Sequence, residues 1–174
     1  MLSGMDIDEL RAAQAPFKER YREHPDAAQI PTKATGHAAA DNPSFVVQQF
    51  TGDTVAGLHP MLGGPDGTAC SADMLLEALL GCAGVTLRAV ITAMRLDVSH
   101  IEGKVEGTFD ARGTLGIDRT VPVGVQDVVV TFDLTTTADD AALAKIGDLV
   151  ERYCVVAASL ADRPTFVVRR ASPV

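Results

Sequence analysis

The sequence predicts a single α+β domain, and three features carry that prediction. A helix-length apolar segment, 71–96, lies in the middle of the chain. Runs rich in β-formers flank it at 44–50, 104–110, 126–136 and 165–170. A second, amphipathic helix over 139–152 separates the last two runs. Strands that look antiparallel and helices that segregate from them define an α+β layout. At 174 residues the chain has one-domain size and can bury a substantial core. Aromatics make up 5% and Trp is absent, so that core is built from Val, Leu, Ile and Ala.

The first element is a helix over about 6–22, where Leu10, Ala13, Phe17 and Tyr21 recur at spacings of three and four. Pro16 in its middle predicts a kink or break. Residues 24–43 read as a connection with room for an edge strand. SFVVQQF (44–50) is a strand, Thr51-Gly52-Asp53 supplies turn chemistry, and 54–59 is the hairpin partner. PMLGGPDGT (60–68) is a loop. Ser71 suits an N-cap for the central helix, and Asp73 lies in the first turn, where the dipole favours negative charge. From Glu77 to Arg88 nearly every face is apolar, which predicts burial on all sides. Gly81 and Gly84 each cost roughly 1 kcal/mol of helix propensity relative to Ala, and so predict close approach of another backbone.

After it, 104–110 is a strand and 112–124 a long loop or wide hairpin. The clearest strand is 126–136, with Val128, Val130, Phe132 and Leu134 on one face. The helix over 139–152 carries Leu143, Ile146, Leu149 and Val150 on its apolar stripe. Residues 154–161 continue as a short helical piece, Pro164 ends it, and 165–170 is the last strand.

Charge excludes several function classes. The formal net charge is −8, and an acidic surface repels phosphate backbones and anionic membranes, so no nucleic-acid or membrane partner is expected. The first eleven residues hold Asp6, Asp8 and Glu9 and read as neither signal nor transit peptide, which predicts a cytoplasmic protein. The most apolar run, 78–87, is about half of what a membrane span needs, so a buried core helix is expected.

Three cysteines, Cys70, Cys82 and Cys154, are too few and too scattered for a secreted disulfide scaffold or a CxxC zinc site. His24, His37, His59 and His100 show no ligand spacing. Taken alone, Cys82 reads as a small buried hydrophobe, since free cysteine is among the most buried residue types. Cys154 sits where a new helical piece starts, a place that lowers a thiol's pKa.

The two cysteine contexts together carry a resemblance. DMLLEALLGCAGVTLRA (73–89) resembles the first signature of the OsmC/Ohr family, a central helix of small and apolar residues holding one cysteine. LVERYCVVAASL (149–160) resembles the second, a cysteine where one helix gives way to the next. Their separation of 72 positions (154 − 82) suits the family, and the resemblance spans about 44–168. Residues 1–43 stand outside it as an N-terminal helix and connection, with 44–174 as the OsmC-like domain.

The resemblance implies an intertwined homodimer in which antiparallel sheets wrap around buried central helices. It implies a thiol peroxidase reducing organic hydroperoxides, with no metal or organic cofactor. Cys82 would attack, Cys154 would resolve, and a small dithiol or lipoyl-type reductant would restore the pair. The family's second cysteine is commonly followed by proline; here Val155 follows. Active members also use a glutamate and an arginine to activate the first cysteine. Asp73 stands nearest the glutamate position, and Arg11, Arg20 or Arg22 on the extra helix are the candidates for the arginine, across the dimer. Cys70 is an alternative resolving thiol and His59 a candidate base. The alternative function is a non-catalytic OsmC-like protein that binds a small apolar ligand in the dimer cleft.

Overall fold

A computed structural model describes residues 6–40 and 43–171. In chain order the elements are α1 (Ile7–Glu23), β1 (Thr35–Ala38), β2 (Phe45–Gln49), β3 (Gly52–Gly57), β4 (Ala69–Cys70), α2 (Ser71–Ala93), β5 (Val98–Thr108), α3 (Ala111–Thr114), β6 (Gln126–Thr136), α4 (Asp140–Tyr153), α5 (Val155–Ala158) and β7 (Thr165–Arg170). Short 3-10 turns occupy Pro25–Ala28 and Pro60–Leu62. The α+β expectation holds.

The strands form two sheets, ordered β1-β2-β3-β4 and β5-β6-β7. Not all pairs are antiparallel as expected: β4 runs parallel to β3, and β7 parallel to β6. The second exception follows from connectivity. After β6 the chain crosses over through α4 and α5, and a strand reached by a helical crossover returns in the same direction.

The core lies between α2, α4 and the second sheet. Leu79, Ala83, Leu87, Val90 and Ile91 from α2 meet Val130, Phe132 and Leu134 from β6 and Leu143, Ile146 and Val150 from α4. These are aliphatic residues with one aromatic, as the composition required. Asp139 caps α4 by accepting the Ala142 N–H at 2.8 Å. Arg169 on β7 donates to Asp133 on the neighbouring β6 at 2.6 Å, which fixes the parallel register at the sheet's exposed end.

Several local expectations are corrected. α1 runs unbroken through Pro16, and a capping box starts it: Asp6 accepts from Glu9 N–H and Glu9 accepts from Asp6 N–H. Cys70, not Ser71, is the N-cap of α2. The β2–β3 turn is Phe50–Thr51; Gln49 pairs with Gly52, whose φ of +130° only glycine adopts readily. β5 starts six residues earlier than its alternation suggested. A register shift between Val98 and His100 interrupts the period of two there.

The largest correction concerns α2. One stripe is buried, but Ala78, Gly81 and Val85 are exposed, with Val85 at 74%. No backbone of the described residues approaches Gly81 or Gly84. The helix is apolar all round, yet this chain covers one side of it only. The first sheet is also uncovered: no residue of β1–β4 is buried, and Phe45 and Val55 are exposed.

Candidate functional site

α2 runs from Ser71 to Ala93 without a proline to stop it, and its middle brings Cys82 to the junction of α4 and α5. There α4 ends at Tyr153, and Cys154 adopts an extended conformation (φ −74°, ψ 110°). The chain then re-enters helix at Val155, with Cys154 as the N-cap of α5. The break leaves the first amides of α5 without intrahelical partners. α5 packs against α2, and those amides face Cys82.

Cys82 is half-buried and Cys154 is fully buried; neither is in a disulfide. The two thiols are neighbours across the packing of α5 on α2, and each bears on the other's ionisation. Burial pushes the Cys82 thiol up. The Val156 amide, the Cys154 thiol, the Val155 amide and the Thr86 hydroxyl outweigh burial and hold Cys82 below the usual thiol range. Cys154 moves the other way. Burial pushes it up, the Ala157 amide offsets this in part, and its bond and charge repulsion with Cys82 raise it further. A thiol that donates to a neighbouring thiolate would lose that bond on ionising.

The other candidates lie elsewhere in the chain. Asp73 is nine residues before Cys82, about 13 Å along the helix and on the opposite face. It lines an open cavity of about 370 Å³ with His59, Leu76 and Phe109. His59 stacks edge-on against Phe109 at 6.0 Å, and its Nδ1 accepts the Met61 N–H at 3.1 Å. Arg11, Arg20 and Arg22 are exposed on α1. Asp8 of that helix forms a 3.9 Å ion pair with Arg95, just past the end of α2. Within one chain, neither Asp73 nor Arg20 meets Cys82. Cys70 begins α2, twelve residues from Cys82, and is half-buried. Arg88 lines a groove of about 530 Å³ against β5, beside His100 and Phe132. Among the described residues, no cluster of three or more His, Cys, Asp or Glu is arranged to hold a metal.

Thr86 was not singled out from the sequence, although its i+4 spacing places it on the face of Cys82. The Val155 and Val156 amides had no sequence signal, because any residue type supplies them.

The sequence model of the family described as OsmC-like protein matches residues 64–169, well over half of the chain. The chain belongs to the OsmC-like family. No curated protein matches it. Among solved structures, an OsmC-like protein of unknown function from Vibrio cholerae is similar at a TM-score of 0.67 and 12% identity, covering 81% of this chain and 100% of that one. An organic hydroperoxide resistance protein OsmC from Legionella pneumophila gives 0.61 and 13%, covering 83% and 100%. An organic hydroperoxide resistance protein from Elizabethkingia anophelis gives 0.56 and 13%, with the same coverage. At such identities the likeness is one of fold, and it agrees with the two-sheet OsmC-like architecture.

The opposed shifts of the two thiols make a prediction. Because the folded Cys82 ionises below the usual range, its alkylation by iodoacetamide rises with pH and levels off below about pH 8.5, the ordinary thiol value. Cys154→Ala removes one donor and moves the midpoint upward; Cys154→Ser keeps a donor and moves it less. Peptide mapping of each cysteine against pH reads this directly.

Proposed function

We propose that this OsmC-like protein is a thiol peroxidase for organic hydroperoxides. The observation that carries this reading is the packing that sets Cys82 on α2 beside Cys154 at the cap of α5, the first thiol held low and the second pushed up. Only a thiolate is a good nucleophile, and a nearby thiol intercepts the sulfenic acid before it over-oxidises.

In the first step the Cys82 thiolate attacks the O–O bond of ROOH. The sulfur takes one oxygen as a sulfenic acid, and the other leaves as ROH after gaining a proton. In the second step the Cys154 sulfur attacks the sulfenic sulfur, a disulfide forms and water leaves. A small dithiol or lipoyl-type reductant then returns two electrons and two protons, and is itself oxidised to a disulfide. The donors around Cys82 stabilise the attacking thiolate. Val85, three residues from Cys82, and Val155, next to Cys154, are both exposed and favour an apolar R group. The fold-level likeness to organic hydroperoxide resistance proteins supports the same chemistry.

The active form in this reading is a homodimer in the cytoplasm. α2 exposes Leu75, Ala78, Gly81 and Val85 along one face, and β1–β4 bury nothing. A second copy supplies the missing cover for both. It also brings a second α1, the route by which Arg20 would approach Cys82. By length and composition α2, 23 residues long with a mean hydropathy of 1.8 over its most apolar 18, could cross a membrane. The packing of its buried stripe on α4 and β6 favours a dimer core instead.

Two predictions follow from this assignment. Wild-type protein should turn over cumene hydroperoxide with a dithiol. Cys82→Ser should lose at least about a hundredfold, as removal of a nucleophile does. Cys154→Ser should make a single turnover and then stall. Turnover no faster than dithiol alone, with several reductants, would leave a fold that binds a small apolar ligand. Separately, light scattering should give about twice the 18.3 kDa chain mass, and Val85→Glu should shift it toward one. A wild-type mass of one chain would contradict the dimer.

A further inference from the structure

Between Ala78 and Leu87 the central helix carries a single hydroxyl, Thr86. It is half-buried, one turn past Cys82, and its Oγ1 donates to the Cys82 carbonyl at 2.8 Å. That bond is surplus to the helix. The same carbonyl is already the acceptor for the residue 86 amide in the i to i−4 ladder. The hydroxyl can therefore leave without orphaning a buried acceptor. Threonine in a helix divides between two χ1 wells for this reason, so its Oγ1 has somewhere to go. Four residues on in the same helix, Thr86 also shares a face of α2 with the Cys82 side chain, so the sulfur lies on the hydroxyl's side. A thiolate only accepts, and a hydrogen bond to a charged acceptor is about twice as strong as one to a neutral acceptor.

We propose that Thr86 is a positioning residue for Cys82, its hydroxyl donating to the Cys82 carbonyl while the thiol is protonated and turning to the sulfur when the thiol ionises. The assignment rests on the reading of Cys82 as the reactive thiol. Ionisation releases the Cys82 proton to solvent, and Thr86 keeps its own. The hydroxyl then completes a set of donors with the Val155 and Val156 amides and the Cys154 thiol. Those three come from one side of the sulfur, α5 and its cap. Thr86 comes from α2 itself, so it fixes the direction in which the remaining lone pair points.

The elements packed against α2 carry further titratable groups. From α5 the titratable neighbour is Cys154. At the end of α4, Glu151 reaches Arg163 at 3.9 Å and Arg152 lies over the Tyr153 ring at 5.6 Å. On β5, His100 pairs with Glu102 at 3.2 Å and Lys104 with Glu106 at 2.7 Å. β4 contributes Cys70, at the start of α2. Of these, Cys154 is the one that bears on the ionisation of Cys82.

The test is the pH profile of Cys82 alkylation in the full reduced chain, mapped by peptide so that Cys70 and Cys154 are read separately. Thr86→Val keeps the shape and removes the donor; Thr86→Ser keeps the donor. The valine variant should move the midpoint to higher pH, and slow alkylation roughly three- to tenfold below that midpoint, the net scale of one hydrogen bond when a bond to the carbonyl is exchanged for a stronger one to the thiolate. The serine variant should restore the wild-type profile. Should the valine variant fail to fold, Thr86→Ala takes its place and is read the same way. Profiles that superpose for wild type and the hydroxyl-free variant would overturn the proposal and leave a plain helix back-bond. So would equal shifts in the valine and serine variants. No hydroperoxide enters the assay, so a loss of peroxidase turnover elsewhere leaves this result standing, and the reverse holds too.

Discussion

The packing of α5 against the middle of α2 is the constraint on which the rest depends. Both cysteines lie at that contact, and neither position has value alone. α4 must end where it does so that Cys154 turns outward from its helical path, and α5 must restart at once so that fresh amides face Cys82. The core residues of α4, Ile146 and Val150, lock its axial position against α2 and so set the height at which the two thiols meet. Stability and chemistry share one interface.

That interface makes two similar side chains unequal. Burial alone would raise both thiols. Cys82 escapes because it receives donors from two elements, whereas Cys154 is more deeply enclosed and must keep its proton to serve as one of those donors. In the proposed mechanism, the division into attacking and resolving thiol follows from which cysteine the amides face. No charged side chain of the same chain is needed for the direction of the shift. An arginine from a second copy would strengthen it.

The sequence was most legible where one period ran undisturbed. Gln126–Thr136 and Thr165–Arg170 match their expected bounds because each is a dense run of β-branched and apolar residues, dense enough in the first to outweigh an irregularity at Asp127. β5 was half-hidden by its bulge, and β1 by a run of exposed residues with no pattern to read. The cysteine pair was legible only through the two family signatures, since either residue alone looks like a core thiol. Thr86 was within reach of a spacing argument, but the α5 amides were not, because backbone donors leave no residue-type trace. The reading of α2 as buried on all sides was correct about its composition and wrong about one chain. A helix apolar all round needs cover, and composition does not say whose. Asp73 and Arg20 illustrate the same limit, for the chain holds them apart from Cys82.

The central claim is that Cys82 and Cys154 form one redox unit. The most direct test is to treat the fully reduced protein with one equivalent of cumene hydroperoxide and map its peptides without reduction. The account predicts a single product, a Cys82–Cys154 disulfide, with Cys70 still free. A Cys82 that stays reduced, or that ends as sulfinic acid beside a free Cys154, would contradict it.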